Sequence, residues 1–276
     1  MSTLLAALAA LSFGAADYSG GKASRTHNVP AVLVLSQSVG LAGIVVVAFA
    51  LGQPAASVAD LGWGVLAGLS GVVGLGMLYR GLASGTAAVV SPTAALFGGG
   101  IPIVAGVLLG ESPSTTAWMG VALALPAILL LSLAREPGAR FDRRSIVYGV
   151  AAGVGFGGYY ILIDRTGTGS GFWPLAAARV ASIGLVAVVA VASRRKLVVS
   201  SGARRFAVLA GSLDMAANVF FLLATRLGLL VTSAVVSSLY PAPTVVLARV
   251  FDRQRLGPRR IAGLVLSLAG VALMAV

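Results

Sequence analysis

The chain has 276 residues, of which 58% are hydrophobic and only 10% are charged. A soluble domain needs far more charged surface, and one core could not bury so many apolar residues. The composition therefore excludes a soluble domain and predicts an integral membrane protein. The net charge of +12 does not indicate nucleic-acid binding, because the basic residues are scattered in short connectors. They are typical of topology determinants that face anionic lipid headgroups.

The sequence contains no cysteine and a single histidine, His27. Disulfides, thiolate chemistry and cysteine metal sites are therefore excluded, and His27 lies in a basic connector where we interpret it as a solvated residue. There is no Ser/His/Asp set and no HExxH motif. The glycine-rich "AGVGFGG" has neither a preceding strand nor a following lysine, so it does not indicate a nucleotide loop. We expect neither an enzyme nor a bound cofactor or metal.

Apolar segments long enough to cross a bilayer follow one another along the chain and predict ten transmembrane helices. The N-terminal segment lacks the basic start of a cleaved signal peptide, so we expect it to be retained as the first helix. The ten predicted spans are 3–20, 30–51, 61–80, 86–109, 115–134, 145–164, 173–193, 204–226, 230–250 and 257–276.

The two halves of the chain repeat each other at an offset of about 143 residues. For example, "VLAGLSG" at 65–71 matches "VLAGSLD" at 208–214. The basic connector 135–144 separates a first repeat, 1–134, from a second repeat, 145–276. Because five is an odd number of spans, the second repeat begins on the opposite side of the membrane. The pattern predicts two inverted five-helix repeats, the plan of many secondary transporters.

Basic residues predict the orientation of the chain in the membrane. Lysine and arginine are concentrated in the first, fifth, seventh and ninth connectors, whereas the second and fourth connectors have none. The positive-inside rule then makes the basic connectors cytoplasmic and puts both termini outside. We expect a multi-pass protein of the cell membrane, the inner or plasma membrane of a bacterium-like cell.

Glycine and proline fall at matching depths of spans four and nine. The residues are Pro92, Gly98, Gly99, Gly100 and Pro102 in the fourth span, and Pro241 and Pro243 in the ninth. Because proline lacks a backbone donor, this pattern predicts matched helix breaks. Such breaks persist in hydrocarbon only where protein or a water-filled cavity covers them, and they are typical of transporter binding sites. Close helix packing by small residues is the alternative explanation.

Polar groups lie well inside the predicted spans at Asp17, Arg179, Asp214 and Asn218. A charge at the bilayer centre costs roughly 3 kcal/mol on insertion scales, so these side chains should face the bundle interior. Asp214 and Asn218 are four residues apart and share one face of a helix. Arg179 lies on the preceding span. It either pairs with Asp214 to join the two helices or contributes to a substrate cavity, and these roles do not exclude each other.

Asp17 has two interpretations. It is either a buried carboxylate that accepts a proton or an interfacial residue that neutralises Lys22. Three tyrosines, Tyr159, Tyr160 and Tyr240, either line the cavity or belong to the aromatic belt at the membrane surface. The predicted substrate-binding set is Asp17, Tyr160, Arg179, Asp214, Asn218 and Tyr240.

Three stretches of the chain carry a resemblance to a known family. "LAALSFGAADYSGGKASR" and "PIVAGVLLGESPSTTAWMGVALALPAILLL" are similar to the start and the end of an EamA unit. "SLYPAPTVVLARVFDRQRLGPRRIAGLVLSLAGVALM" resembles the same closing unit in the second half. The whole chain thus resembles two tandem EamA units of the drug/metabolite transporter superfamily. It departs at Gln254, where the second unit should have a glutamate like Glu111, and in its basic connectors, because relatives are usually drawn with cytoplasmic termini.

The resemblance implies ten helices in inverted repeats around a central cavity that carries small metabolites such as amino acids, nucleosides or drugs. We therefore expect an alternating-access exporter or exchanger. The expected partners are a small-molecule substrate, the lipid bilayer and protons, without nucleic acid, in a monomer or a dimer. A non-transporting scaffold or sensor subunit and a channel-like facilitator are the alternatives.

Overall fold

A computed structural model describes residues 1–24, 28–84, 87–132, 142–194, 197–253 and 256–276. His27, Gln254 and most of the connector 135–144 lie outside these residues, and the predicted division into repeats at that connector stays a prediction. The described residues form α-helices and one short 3-10 turn, Thr168–Ser170, with no strand among them. The α-helices are α1 (Ser2–Ser24), α2 (Val29–Ala50), α3 (Val58–Ser84), α4 (Ala87–Leu108), α5 (Thr115–Ser132), α6 (Arg143–Asp164), α7 (Trp173–Ala192), α8 (Ser201–Leu227), α9 (Leu230–Ser237), α10 (Pro241–Phe251) and α11 (Pro258–Ala275).

Nine segments of the described chain are long and apolar enough to cross a membrane. One of them, Leu230–Phe251, contains both α9 and α10 and is therefore a single broken span. α1 has 23 residues, enough for a tenth span, although Asp17 and Lys22 dilute its apolar run. The all-helical membrane fold is confirmed, and the predicted number of ten spans agrees with nine such segments plus α1.

The packing of the helices has approximate twofold symmetry. α1 packs against α8 as α6 packs against α3, and α2 packs against α8 as α7 packs against α3. The contacts of α2 with α7, of α4 with α9 and of α5 with α11 join equivalent helices of the two halves. The same set of contacts is therefore recovered when the halves are exchanged. Because each half holds five spans, the two repeats are inverted with respect to the membrane.

Glycines bring the symmetric helix pairs into backbone contact. A Cβ atom at Gly68 of α3 would lie under 3.0 Å from the carbonyl oxygen of Ala178 on α7. A Cβ atom at Gly211 of α8 would lie equally close to the carbonyl oxygen of Ser36 on α2. Gly68 and Gly211 are equivalent at the 143-residue offset, so both repeats use the same contact. Such close approach gives membrane helices dispersion contacts that lipid cannot supply.

The structure contradicts one of the two predicted helix breaks. Span nine does break, because α9 ends at Ser237 and α10 begins at Pro241. α4, in contrast, is one continuous helix that includes Pro92 and Pro102. The prolines of α4 are ten residues apart, and each removes a single hydrogen bond, whereas Pro241 and Pro243 remove two bonds from the same turn.

The predicted interruption of the fourth span at Gly98, Gly99 and Gly100 is therefore wrong, since all three lie within α4. The ring of a proline in a helix collides with the carbonyl group four residues earlier. For Pro102 that residue is Gly98, which has no side chain to restrict local adjustment of the backbone. α6 also packs along α4, with a Cβ atom at Gly153 lying 2.8 Å from the carbonyl oxygen of Ala94. This close support on one side favours a continuous helix.

The two ends of the helix bundle differ in charge. We call the end at which α1 finishes and α6 begins the basic face, and the other end the opposite face. Among the described residues, eleven lysines and arginines lie at the basic face: Lys22, Arg80, Arg143, Arg144, Arg194, Arg204, Arg205, Arg249, Arg253, Arg259 and Arg260. The assignment of this face to the cytoplasm, with the termini outside, stays a prediction from the positive-inside rule.

The contact at Gly211 generates a test of the packing. Gly211→Ala puts a methyl group against the Ser36 carbonyl, so we expect a loss of about 1–3 kcal/mol in unfolding free energy. The matched control is Gly43→Ala on α2, where a Cβ atom meets nothing within 4 Å, and which should be neutral or slightly stabilising. Thermal unfolding of the purified proteins in detergent measures both effects. Equal melting temperatures for the two variants would contradict the close α2–α8 contact.

Candidate functional site

An ion pair joins α7 and α8 in the interior of the helix bundle. Arg179 donates from Nη2 to Oδ2 of Asp214, which lies at the midpoint of α8. Arg179 is only 8% exposed, whereas the Asp214 side chain keeps 32% of its surface accessible. The α8 residues one turn on either side of it, Gly211 and Asn218, are buried. Asp214 is therefore accessible from within the bundle rather than from the lipid.

Gln37 on α2 contacts the other terminal nitrogen of the Arg179 guanidinium group. Its Oε1 accepts a hydrogen bond from Nη1 of Arg179. At an offset of 142 residues, which also matches Ser36 with Ala178, Gln37 and Arg179 are equivalent positions of the two repeats. Sequence analysis missed Gln37, although an amide within an apolar span is the same signal that selected Asn218.

Asn218 extends these contacts to α6. Its Nδ2 donates to the carbonyl oxygen of Asp214 at 2.6 Å and lies 3.4 Å from Oδ2 of the same residue, while its Oδ1 accepts from the Tyr159 hydroxyl. We call Gln37, Tyr159, Arg179, Asp214 and Asn218 the central network. The sequence predicts for Tyr159 only a place in the cavity wall or in the aromatic belt. The structure gives it a direct hydrogen bond to Asn218 within this network.

Tyr160, the next residue of α6, belongs to the predicted substrate-binding set and packs in a cluster of aromatic side chains. Its side chain is buried, and its ring centroid lies 4.3 Å from that of Phe221 and 6.4 Å from that of Phe13. Tyr240 lies in the turn between α9 and α10, where its carbonyl oxygen accepts from the Thr244 hydroxyl at 3.0 Å. Tyr240 also interacts electrostatically with Tyr160, so the break in span nine lies next to the aromatic cluster.

Asp17 lies between the central network and the basic face. Its side chain is exposed and lines a pocket of about 280 Å³, together with Lys22, Thr244, Asp252 and Arg260. The interpretation that Asp17 neutralises Lys22 is wrong, because Lys22 pairs with Asp252 at 2.9 Å between Nζ and Oδ1. Asp17 forms no ion pair with any residue that the structure describes.

The arrangement brings the predicted residues into one interior region. Asp17 lies close enough to Asp214 and Tyr240 for electrostatic interaction, and it also interacts with Tyr160. Arg179 neutralises Asp214, whereas Asp17 has no ion-pair partner among the residues that the structure describes. A carboxylate in this setting can take a proton or the positively charged group of a ligand. No cluster of three or more potential metal ligands occurs within the described parts of the chain.

Comparison with known proteins places this geometry in a family. No curated protein matches the sequence, whereas 24 chains of solved structures match the structure. One of them, described only as a crystal structure of a protein, superposes with a TM-score of 0.79 over 99% of this chain and 95% of its own chain, at 19% identity. At that identity the likeness shows a common fold.

The family model of the EamA-like transporter family matches both halves of the chain, residues 1–133 and 143–276. This double match agrees with the symmetric packing of the two repeats and with the membrane-spanning helices. The chain belongs to the EamA-like transporter family and is a multi-pass membrane transporter of the drug/metabolite transporter kind.

Proposed function

We propose that this protein is a secondary transporter that exports or exchanges small metabolites or drugs by alternating access. The observation that carries the proposal is the central network. An ion pair whose only task was to join two helices would be most stable when fully enclosed and fully hydrogen-bonded. Asp214 instead remains 32% accessible at the middle of its helix. A charged side chain with an accessible surface at this depth is typical of a substrate or ion pathway.

In this proposal each residue of the interior region has a role that its chemistry suggests. Arg179 and Asp214 contact charged or polar groups of the substrate, and Asn218 hydrogen-bonds to it. Tyr160 and Tyr240 form walls, and Asp17 carries the coupling proton. Inverted repeats supply two related ways to close the bundle, one towards each face. The break after α9 lies beside this region, as expected for a discontinuous helix near a binding site.

The position of the Asp17 pocket supports export as the proposed direction of transport. Its lining residues Lys22, Asp252 and Arg260 belong to the basic face, which the positive-inside rule places in the cytoplasm. A substrate that arrives from the cytoplasm would therefore reach Asp17 first and the central network next. This order supports export.

The central network gives the first functional prediction. We expect Asp214→Asn or Arg179→Ala to reduce transport in proteoliposomes to the level of empty liposomes, while the protein still elutes as one monodisperse species. The substrate comes from a screen of metabolites that raise the melting temperature, since ligands that bind only the folded state stabilise it.

The matched control is Asp142→Asn, a change of the same chemistry outside the membrane. Asp142 caps α6 by accepting a hydrogen bond from the Ser145 backbone N–H at 2.9 Å, and asparagine caps helices equally well. This variant should transport at the wild-type rate. Wild-type flux in both central variants would remove the network from the mechanism.

Asp17 gives a separate prediction about coupling. Asp17→Asn cannot release a proton, so we expect it to lose accumulation driven by an imposed pH gradient while it keeps exchange down a substrate gradient. Both activities are measured in the same proteoliposomes, with Asp142→Asn as the control. If Asp17→Asn still accumulates substrate against its gradient, Asp17 is not the proton carrier.

A further inference from the structure

The break in span nine leaves backbone carbonyl groups without donors. In a continuous helix the N–H groups of Leu239 and Ala242 would donate to the carbonyl oxygens of Val235 and Ser238. Here they donate instead to the carbonyl oxygens of Val236 and Leu239, each three residues back. Among the residues that the structure describes, no backbone N–H donates to the carbonyl oxygens of Val235 and Ser238.

These acceptors lie inside the bundle. Val235 is fully buried and Ser238 is 2% exposed. The Ser238 hydroxyl has no hydrogen-bond partner of normal geometry in the described structure, although the Tyr160 side chain approaches it. Open backbone carbonyl groups persist at this depth only where protein or a cavity covers them. The break therefore offers two carbonyl oxygens and one hydroxyl to a ligand that can donate hydrogen bonds.

The charge around the break is negative. The C-terminal end of a helix carries a partial negative charge, and α9 ends at the break. Asp17 interacts electrostatically with both Tyr160 and Tyr240, so its carboxylate lies beside the same turn. Arg179, the cation of the central network, is already paired with Asp214. The region thus favours a positively charged ligand.

Aromatic side chains adjoin these acceptors and provide an apolar wall. Tyr160 packs against Phe221 and Phe13, and Phe13 lies one helical turn before Asp17 on α1. Aromatic faces attract organic cations as well as apolar groups. The Asp17 pocket, of about 280 Å³, is close to the lower limit of roughly 300 Å³ for small-molecule sites. A small organic cation therefore fits the size and the chemistry of the region.

We propose that Asp17 and the break in span nine bind the primary ammonium group of a substrate that has an apolar body. This inference rests on the proposed transport function and names its substrate class. We call the Asp17 carboxylate, the carbonyl oxygens of Val235 and Ser238 and the Ser238 hydroxyl the ammonium site. A primary ammonium group has three N–H donors and no acceptor, which complements this set of acceptors. Asp17 holds the ammonium group and the coupling proton at different stages of the cycle.

Two other ligands compete with this assignment. Sodium is the first, because unwound carbonyl groups bind it in other transporters. The aromatic wall favours an organic cation over sodium, which has no apolar body to place there. An anion is the second, because Lys22 and Arg260 line the Asp17 pocket from the basic face. Lys22 is already paired with Asp252, and the acceptors of the break would repel an anion.

Calorimetric titration of the purified protein in detergent distinguishes these ligands. Phenethylamine carries the ammonium group, phenethyl alcohol a neutral hydroxyl, and hydrocinnamate a carboxylate on the same apolar body. Trimethylphenethylammonium keeps the charge but has no N–H to donate. We expect phenethylamine to bind about tenfold more tightly than each of the other three, the effect of one charge-assisted hydrogen bond. Melting temperatures in sodium chloride and potassium chloride of equal ionic strength test for a sodium site.

Two sets of variants locate the bound amine. Asp17→Asn should weaken phenethylamine binding about tenfold, whereas Asp17→Glu keeps the charge and should retain binding. Asp142→Asn, outside the membrane, is the matched control. Because the loss is one of affinity, Asp17→Asn should still exchange substrate at saturating amine.

The second set tests the break itself. Pro241→Ala with Pro243→Ala returns two backbone donors, so the helix can continue and occupy the open carbonyl groups. Phenethylamine binding should again weaken about tenfold, the loss of one charge-assisted hydrogen bond. Pro102→Ala in the continuous helix α4 is the matched control and should bind like the wild type. Monodisperse elution checks that each variant is folded.

Equal binding of phenethylamine and phenethyl alcohol would overturn the inference, and so would wild-type affinity in Asp17→Asn or in the double proline variant. Tightest binding of hydrocinnamate, or a higher melting temperature in sodium chloride without amine binding, would assign the region to an anion or to sodium instead. Binding is measured without transport. Amine binding that depends on Asp17 in a protein that carries no substrate would contradict the proposed function alone. Transport of an anion by a protein that binds no amine would contradict the ammonium site alone.

Discussion

The central constraint on this structure is the cost of placing an arginine in hydrocarbon. The guanidinium group of Arg179 needs acceptors on both of its terminal nitrogens, and Gln37 and Asp214 supply them from two different helices. Both acceptors are within reach only because α2, α7 and α8 approach closely. The contact at Gly211 brings α8 against α2, and α2 also packs against α7. Packing by small residues and satisfaction of the buried charge are therefore one requirement, since loosening the first would leave the second without partners.

The two repeats share their scaffold but not their chemistry. The glycine contacts of α3 with α7 and of α8 with α2 are equivalent, and so are the helix pairs around them. At the same offsets, however, Asp17 corresponds to Tyr160 and Gln37 to Arg179. The helices of the two repeats are therefore arranged symmetrically. Their side chains differ at equivalent positions, so the charges are distributed unevenly between the repeats. An uneven distribution gives the two closed forms of the bundle different energies, and only such a difference allows protons or substrate to favour one form.

Much of the fold could be predicted from the sequence because lipid imposes a length and a composition on every spanning helix. The site was partly predictable for the same reason: Arg179, Asp214 and Asn218 are conspicuous in apolar segments. The hydrogen bonds of Gln37 and Tyr159 were not predictable, since they depend on how each helix is rotated about its own axis. Whether α4 breaks or continues could not be predicted from local sequence either. Proline and glycine only weaken a helix, and packing against neighbouring helices decides whether it breaks.

The broken ninth span connects the two faces mechanically. α9 is buried at every residue except Thr232, whereas only Pro241 and Val245 are buried in α10. The first half of the span, α9, is fixed by core packing and by the hydrogen bonds that its first two residues donate to Glu111. The second half of the span contacts α1 through polar groups, Thr244 with the Gly14 carbonyl and Asp252 with Tyr18 and Lys22. In the proposed cycle α9 therefore moves with the core of the bundle, while α10 can change its angle at the turn that contains Tyr240. That turn adjoins Asp17, so movement at the basic face reshapes the pocket that Asp17 lines.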